Sequence, residues 1–436
     1  MLDIQTIVSL SLEYGRNPRW VIAGGGNTSV KTDERLAIKA SGRALGQITA
    51  DDFVEIDRTA LAPLFTSPYP EDPHEREAQA LADLMNSRVA GQGTLRPSVE
   101  TLMHDVFPQT YVVHTHPTLV NGLTCSQDAE ARAQALFGEE LIWIDDVNPG
   151  YVLGTVVSEL VGAFIASKER NPWLMLLRNH GLVVAGDTPE EIRRRNAFVV
   201  QTIWDSLEQL PAGEAHEGRP AWYDTSARAV ASGPDTHADN ASIQGAEREI
   251  RTVFADFGEA DIHVSAHCDD NFLALSGDPE DMFARLSESF SPDHLVYAAR
   301  QPAMVDMPAA PGKTPSTAEA AASSGHADVG NTTSKGEGSA NGQTPDPDAV
   351  RRAITAYREK WQSLPRVVVI PGVGAFGTDA SGAIADAAGR LCLDALLISR
   401  YAENFGGYRF MPPEQIEFIR SWEVERFRQK QASGES

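Results

Sequence analysis

Cysteine is nearly absent. Cys125, Cys268 and Cys392 are the only three, far apart and in no CxxC arrangement. That excludes a disulfide framework and reads as a reducing, cytoplasmic setting. Long apolar runs are missing too: no run of about eighteen apolar residues occurs, so no membrane span is expected. The opening "MLDIQTIVSLSLEYGRN" carries neither the basic leader nor the apolar stretch of a secretory signal. A surplus of positive charge is the third absence. With 61 acidic against 37 basic residues the net charge is −24, and lysine is scarce beside arginine. Binding a phosphate backbone needs a basic surface, so nucleic acid is excluded as a partner. The acidic excess reads as a solubilising surface.

What is present is enough apolar material, 42% of 436 residues, for a large core and more than one domain. Residues 1–235 carry dense strand and helix signals. "RWVIAGGGNTSVKTDERLAIKASG" predicts strands at Val21–Ala23 and Leu36–Lys39 around a glycine turn. "PSVETLMHDVF" places Leu102, Met103, Val106 and Phe107 at helical spacing, and "TYVVHTHP" is a strand stopped by Pro117. "WLMLLRNHGLVVAGDTPEEIRRRNAFVVQTIWDSL" predicts strand, turn, strand, then a helix capped by Asp187 or Thr188 with Pro189 in its first turn. Residues 240–302 read as a small α/β extension, with "GAEREIRTVFADFG" a helix and "DIHVSAHC" and "NFLALSG" a strand pair. Residues 303–347, rich in Ala, Ser, Gly, Thr and Pro, read as a disordered linker, because they cannot bury enough to offset ordering entropy. A C-terminal α/β segment follows over 348–432, with the strand "RVVVIPG" and helices around "DAAGRLCLDALLISRYA" and "PEQIEFIRSWEVERFRQ".

The chemistry centres on His114 and His116. In a strand, residues two apart share a face at about 7 Å, so an HxH pair can converge on one ion. In isolation the pair reads as two half-buried histidines bonded to backbone. His180, in the turn "RNHGLVV", offers a third nitrogen, and three neutral imidazoles with a carboxylate or water suit zinc or a similar divalent ion. Taken alone it is equally a turn residue. Glu100, in a first helical turn, is either a capping carboxylate or, beside a metal, an acid and base. "GGGNTS" (Gly24–Ser29), "KASG" (Lys39–Gly42) and Ser98 present backbone N–H groups and short polar donors that fit a phosphate, or are ordinary turns. "GVGAFG" after a strand matches GxGxxG, but only one βα unit is visible and no acidic partner follows, so a structural turn is the better reading. Asp293 and His294 offer a polar contact, but a strand-end turn is the better reading.

"GGGNTSV", "KASG", "RPSVET", "VVHTHP" and "RNHGLVV" together resemble the class II aldolase/adducin family in order and approximate spacing, over about residues 5–230. The resemblance implies a three-layer α/β/α domain with a central mixed β-sheet, followed by a small α/β extension. It implies one divalent metal per subunit, zinc or else manganese or another transition metal, on His114, His116 and His180. Glu100 falls on the family's catalytic glutamate, and Gly26, Asn27, Ser41, Gly42 and Ser98 on its phosphate-binding positions. The family's common paired serine is here Ser98–Val99, so one hydroxyl donor is absent. "SPDHLVYAAR" and "RVVVIPGVGAFG" resemble segments that follow the aldolase part of long rhamnulose phosphate aldolase/dehydrogenase proteins; the chain stops where their dehydrogenase domain would begin, so no oxidoreductase activity is expected.

The function so implied is a metal-dependent aldehyde-lyase that cleaves a phosphorylated ketose or sugar-acid by retro-aldol chemistry through an enediolate. An epimerase or decarboxylase using the same metal site is the alternative, with Tyr151 one candidate for a second acid/base. A non-catalytic, adducin-like assembly module is the alternative from another class. By resemblance the protein is a homo-oligomer, a tetramer.

Overall fold

Val112, Val113, Leu182, Val183 and Val184 are all buried, and successive residues on a strand point to opposite faces. Strands of this kind belong at the centre of a sheet covered on both sides. In the computed structural model, which describes residues 2–215, 220–223, 240–306 and 346–422, seven strands build that sheet: β1 (Asn27–Lys31), β2 (Arg35–Lys39), β3 (Phe53–Asp57), β4 (Tyr111–Thr115), β5 (Leu141–Ile144), β6 (Leu174–Leu177) and β7 (Gly181–Gly186). Their order is β3-β2-β1-β4-β7-β6-β5, mixed because β5 and β6 run parallel while the other pairs are antiparallel.

Val113, Leu182 and Val184 face Leu10, Ile203 and Trp204 of helices Ile4–Gly15 and Pro189–Asp205. Val112 and Val183 face Met103, Leu153 and Val157 of helices Thr101–Val106 and Tyr151–Lys168. This is the three-layer α/β/α domain, and each fully buried side chain of this size contributes roughly 1.5–3 kcal/mol. Helix Pro189–Asp205 begins where its cap dictates: Thr188 Oγ1 accepts from Glu191 N at 3.2 Å, and Pro189 fills the first turn. Helix Tyr151–Lys168 is, by length and composition alone, apolar enough to cross a membrane, although Ser158, Glu159 and Lys168 interrupt its apolar run.

The expected strand at Val21–Ala23 is instead a turn. Ala23 and Gly26 take φ of 52° and 64°, outside the extended region, so the strand starts only at Asn27.

Beyond residue 240 a second sheet runs β8-β11-β10-β9, from β8 (His263–His267), β9 (Ala303–Met304), β10 (Val367–Ile370) and β11 (Gly374–Asp379). It draws on both sides of the expected linker, so the two segments read as separate units contribute to one sheet. Residues 307–345 of that linker lie outside the described residues; its ends are not linker, since Ala303–Met304 pairs with β10 and a helix opens at Pro347. "NFLALSG" is a helix rather than a strand: Asp269 caps it by accepting from Phe272 N at 2.7 Å, and Phe272 and Leu275 bury one face. β8 pairs with β11 instead. β10 and β11 form an antiparallel hairpin, so "GVGAFG" is no strand-to-helix phosphate turn.

Helix Gly382–Ala402 joins the two halves. Cys392 and Leu396 pack under the second sheet, while Leu397 and Tyr401 belong to the core of the first. Gly122, in helix Thr118–Thr124, permits the approach, since a Cβ there would lie 2.3 Å from Tyr401 Cβ.

Candidate metal centre

The sheet register assembles the site. Asn27 of β1 lies opposite His114 of β4, and Thr115 lies opposite Leu182 of β7. The β6–β7 hairpin turns through Asn179, at φ 51°, so His180 sits at the end of β4. Glu100 occupies the N-cap position of helix Thr101–Val106 but makes no cap hydrogen bond; its side chain turns to the histidines.

Three imidazoles converge. His114 Nε2 lies 3.1 Å from His116 Nε2 and 3.4 Å from His180 Nε2, and one nitrogen from each ring falls within 4.8 Å of the others. The other nitrogens fix the tautomers. His114 Nδ1 donates to Leu182 O at 2.9 Å, and His116 Nδ1 donates to Asp293 Oδ2 at 2.5 Å. With each Nδ1 committed in this way, the Nε2 atoms face one another, an arrangement that suits a cation between them. Burial pushes His114 down to about 4 and His180 to about 3, which keeps both in the neutral, ligating form.

Glu100 stands beside them. Its Oε2 accepts from Asn27 Nδ2 at 2.5 Å and lies 3.6 Å from His114 Nε2; its Oε1 lies 3.5 Å from His180 Nε2 and is buried without a hydrogen-bond partner. Burial works to raise this carboxyl, but the imidazoles of His114 and His180 and the Asn27 amide outweigh it and hold it at about 2. Three Nε2 atoms and an orphaned carboxylate oxygen gathered around one point fit a divalent transition ion.

A cleft opens on this centre. Gly26, Asn27, Ser41, Gly42 and Ser98 all line it, so the proposed phosphate positions are brought together beside Glu100, His116 and His180. They are not equally free. The Asn27 amide is engaged by Glu100, and Ser98 Oγ accepts from Glu100 N at 3.2 Å. Thr28 and Ser29, read with the same turn, point away: Thr28 bonds Ser11, and Ser29 bonds His104. Tyr151 packs on Tyr69 and lines a different cavity, with Glu77 and Trp422.

Two cleft residues were named in the sequence without the roles they take here. Lys39, buried in β2, donates its amine to Gly24 O and Arg43 O at 3.1 and 2.6 Å, at the wall of the cleft. Asp293, read as part of a strand-end turn, is in the site on His116. The pair Asp293–His294 inside an apolar stretch was the available signal; its partner, 177 residues away, was not legible.

Residues 5–203 match the family model described as class II aldolase and adducin N-terminal domain. That match covers a little under half of the chain, and over those residues the chain is similar to this family. The chain is also 24% identical over 420 residues to the uncharacterized oxidoreductase YuxG of Bacillus subtilis (strain 168), a match covering 93% of this chain and 55% of that protein. The chain thus spans little more than half the length of that relative. Among solved structures it is similar to the N-terminal class II aldolase domain of a conserved protein from Thermoplasma acidophilum, at 27% identity over 47% of this chain and 92% of that one, with a TM-score of 0.40. A second is the L-fuculose-1-phosphate aldolase of Thermus thermophilus, at 18% identity over 46% and 88%, with a TM-score of 0.29. The class II aldolase superfamily includes aldolases, epimerases and decarboxylases, and its aldolases use a divalent metal.

Proposed function

We propose that the protein is a divalent-metal-dependent lyase that cleaves a phosphorylated ketose or sugar-acid by retro-aldol chemistry. The observation that carries this reading is the convergence of the His114, His116 and His180 Nε2 atoms beside the orphaned carboxylate oxygen of Glu100. These three histidines would hold the ion, zinc in the first instance. When bound, it supplies Lewis-acid polarisation of the substrate's oxygens.

Glu100, ionised and held by the Asn27 amide, begins as a base: it takes the proton of the hydroxyl on the carbon that becomes the aldehyde. The carbon–carbon bond breaks as its electrons pass to the polarised carbonyl, and Glu100 returns the proton to the enediolate carbon. The far end of the substrate rests against the Gly26, Ser41, Gly42 and Ser98 wall, with the Lys39 amine beside it. That wall suits a phosphate and fixes the reacting carbons against Glu100.

The test joins metal analysis to a substrate panel. Purified protein is expected to carry one divalent ion per chain, to lose activity to a chelator, and to cleave a member of a panel of ketose 1-phosphates, 5-phosphates and acid phosphates. Glu100→Gln is expected to lower turnover by about 10²–10⁴-fold with metal content unchanged. Protein that binds no stoichiometric ion and ignores chelator would refute the enzymatic reading. Turnover in Glu100→Gln equal to that of the parent would refute the role given to the carboxylate.

A further inference from the structure

We propose that the region after the aldolase domain completes the metal centre. Asp293 is a positioning residue that fixes the ring of His116, and Gly24 and Gly25 form the surface on which its segment docks. This rests on reading the three histidines as a metal site.

Asp293 is 3% exposed and precedes a π-helical turn, His294–Ala298. It accepts the Nδ1 proton of His116 at 2.5 Å, whereas the matching proton of His114 goes to a backbone carbonyl. A carboxylate on that nitrogen locks the tautomer, orients Nε2 and raises its donor strength. The turn is anchored from three sides. The Tyr297 hydroxyl accepts from Gly24 N at 3.2 Å, Ser291 and His294 bond at 2.8 Å, and Arg366 donates to Val296 O at 3.0 Å.

The glycines make the contact sterically possible. A Cβ on Gly25 would lie 2.2 Å from Asp293 Oδ2 and 3.0 Å from His116 Nδ1, and one on Gly24 would lie 2.6 Å from the Tyr297 hydroxyl. Two of the three glycines in "GGGNTS" therefore admit side chains from a segment about 270 residues later. An aldolase domain without that segment would hold His116 less firmly.

The full-length chain provides the test, with Co²⁺ and Zn²⁺ affinity measured by competition against a chromophoric chelator and with the Co²⁺ absorption bands as the geometric readout. Asp293→Ala is expected to weaken metal binding by about 10–100-fold and to shift the bands. Asp293→Asn, which keeps an acceptor without the charge, should fall between parent and alanine. Gly25→Ala should copy Asp293→Ala in the parent background and add little to it in the double variant, because alanine at 293 vacates the space the new methyl needs. Thermal unfolding of the metal-free variants separates loss of orientation from loss of fold. Parent affinity and spectrum in both Asp293 variants, with His116→Ala weakened, would overturn the proposal and leave the metal site standing. Fully additive losses in the double variant would overturn the docking role of Gly25. A parent chain that binds no ion would bring down the site and this inference together.

Discussion

At the scale of the residue, the site is a set of acceptors kept in the forms that need a cation. His114 and His180 are neutral above the low pH at which they titrate because they are buried. Glu100 is ionised despite its burial because the Asn27 amide donates to it and, at the acidic pH where it would take up a proton, those two rings are already charged. The histidines and Glu100 were legible in the sequence as candidates, each with an ordinary structural alternative, and the resemblance of five motifs in order joined them into one site. Asn27 was legible as a cleft residue but not as the partner of Glu100, which depends on the register of β1 on β4. A buried amine behind the site makes a separate prediction. Burial drops Lys31 from its ordinary 10.5 to about 7. Between these values the unfolded chain binds more protons than the folded one, so stability rises with pH across that window. Lys31→Met removes the titrating group. The pH profile of its melting temperature is expected to be flatter than the parent's from pH 7 to 10; parallel profiles would contradict the assignment.

At the scale of the element, the strands and helices that the sequence announced are those with a buried period and a local stop signal. β4 ends before Pro117, and helix Pro189–Asp205 starts at Thr188 and Pro189. Val21–Ala23 failed because β-branched composition says nothing about φ, and a positive φ at Ala23 turns the chain. "NFLALSG" failed because a cap by Asp269 decided between helix and strand in a run too short for periodicity to choose. Gly26 shows what one position of an element holds in place. Its φ is 64°, and a Cβ would lie 2.7 Å from His114 O on the neighbouring strand. Gly26→Ala is expected to cost about 1–3 kcal/mol and to loosen β1 from β4. Denaturant unfolding reads the first effect and amide exchange at His114 the second, and an unchanged midpoint would show that the turn relaxes freely.

At the scale of the whole molecule, the first domain and the later sheet share side chains rather than merely touching. Tyr401 is fully buried in the first core, and its hydroxyl donates to Glu214 at 2.5 Å, although its helix packs on the second sheet. Tyr401→Ala is therefore expected to cost about 3–5 kcal/mol, the range for emptying a large aromatic site. Amide protection should fall in β4 and β10 together. Loss confined to β10 would mean that the two halves unfold independently.

The sequence by itself determined the glycine turn, the HxH pair on a strand and the turn that carries His180, because each is written in residue chemistry within a short stretch. The three-layer domain, the histidine triad and the role of Glu100 were implied by the resemblance of five such motifs in order. Only the tertiary structure decided that Asp293 reaches His116, that Gly24 and Gly25 face a later segment, and that residues on either side of 307–345 complete one sheet. Those are contacts between positions far apart in the chain. Their partners are chosen by strand register and close packing, which no local pattern of residues encodes.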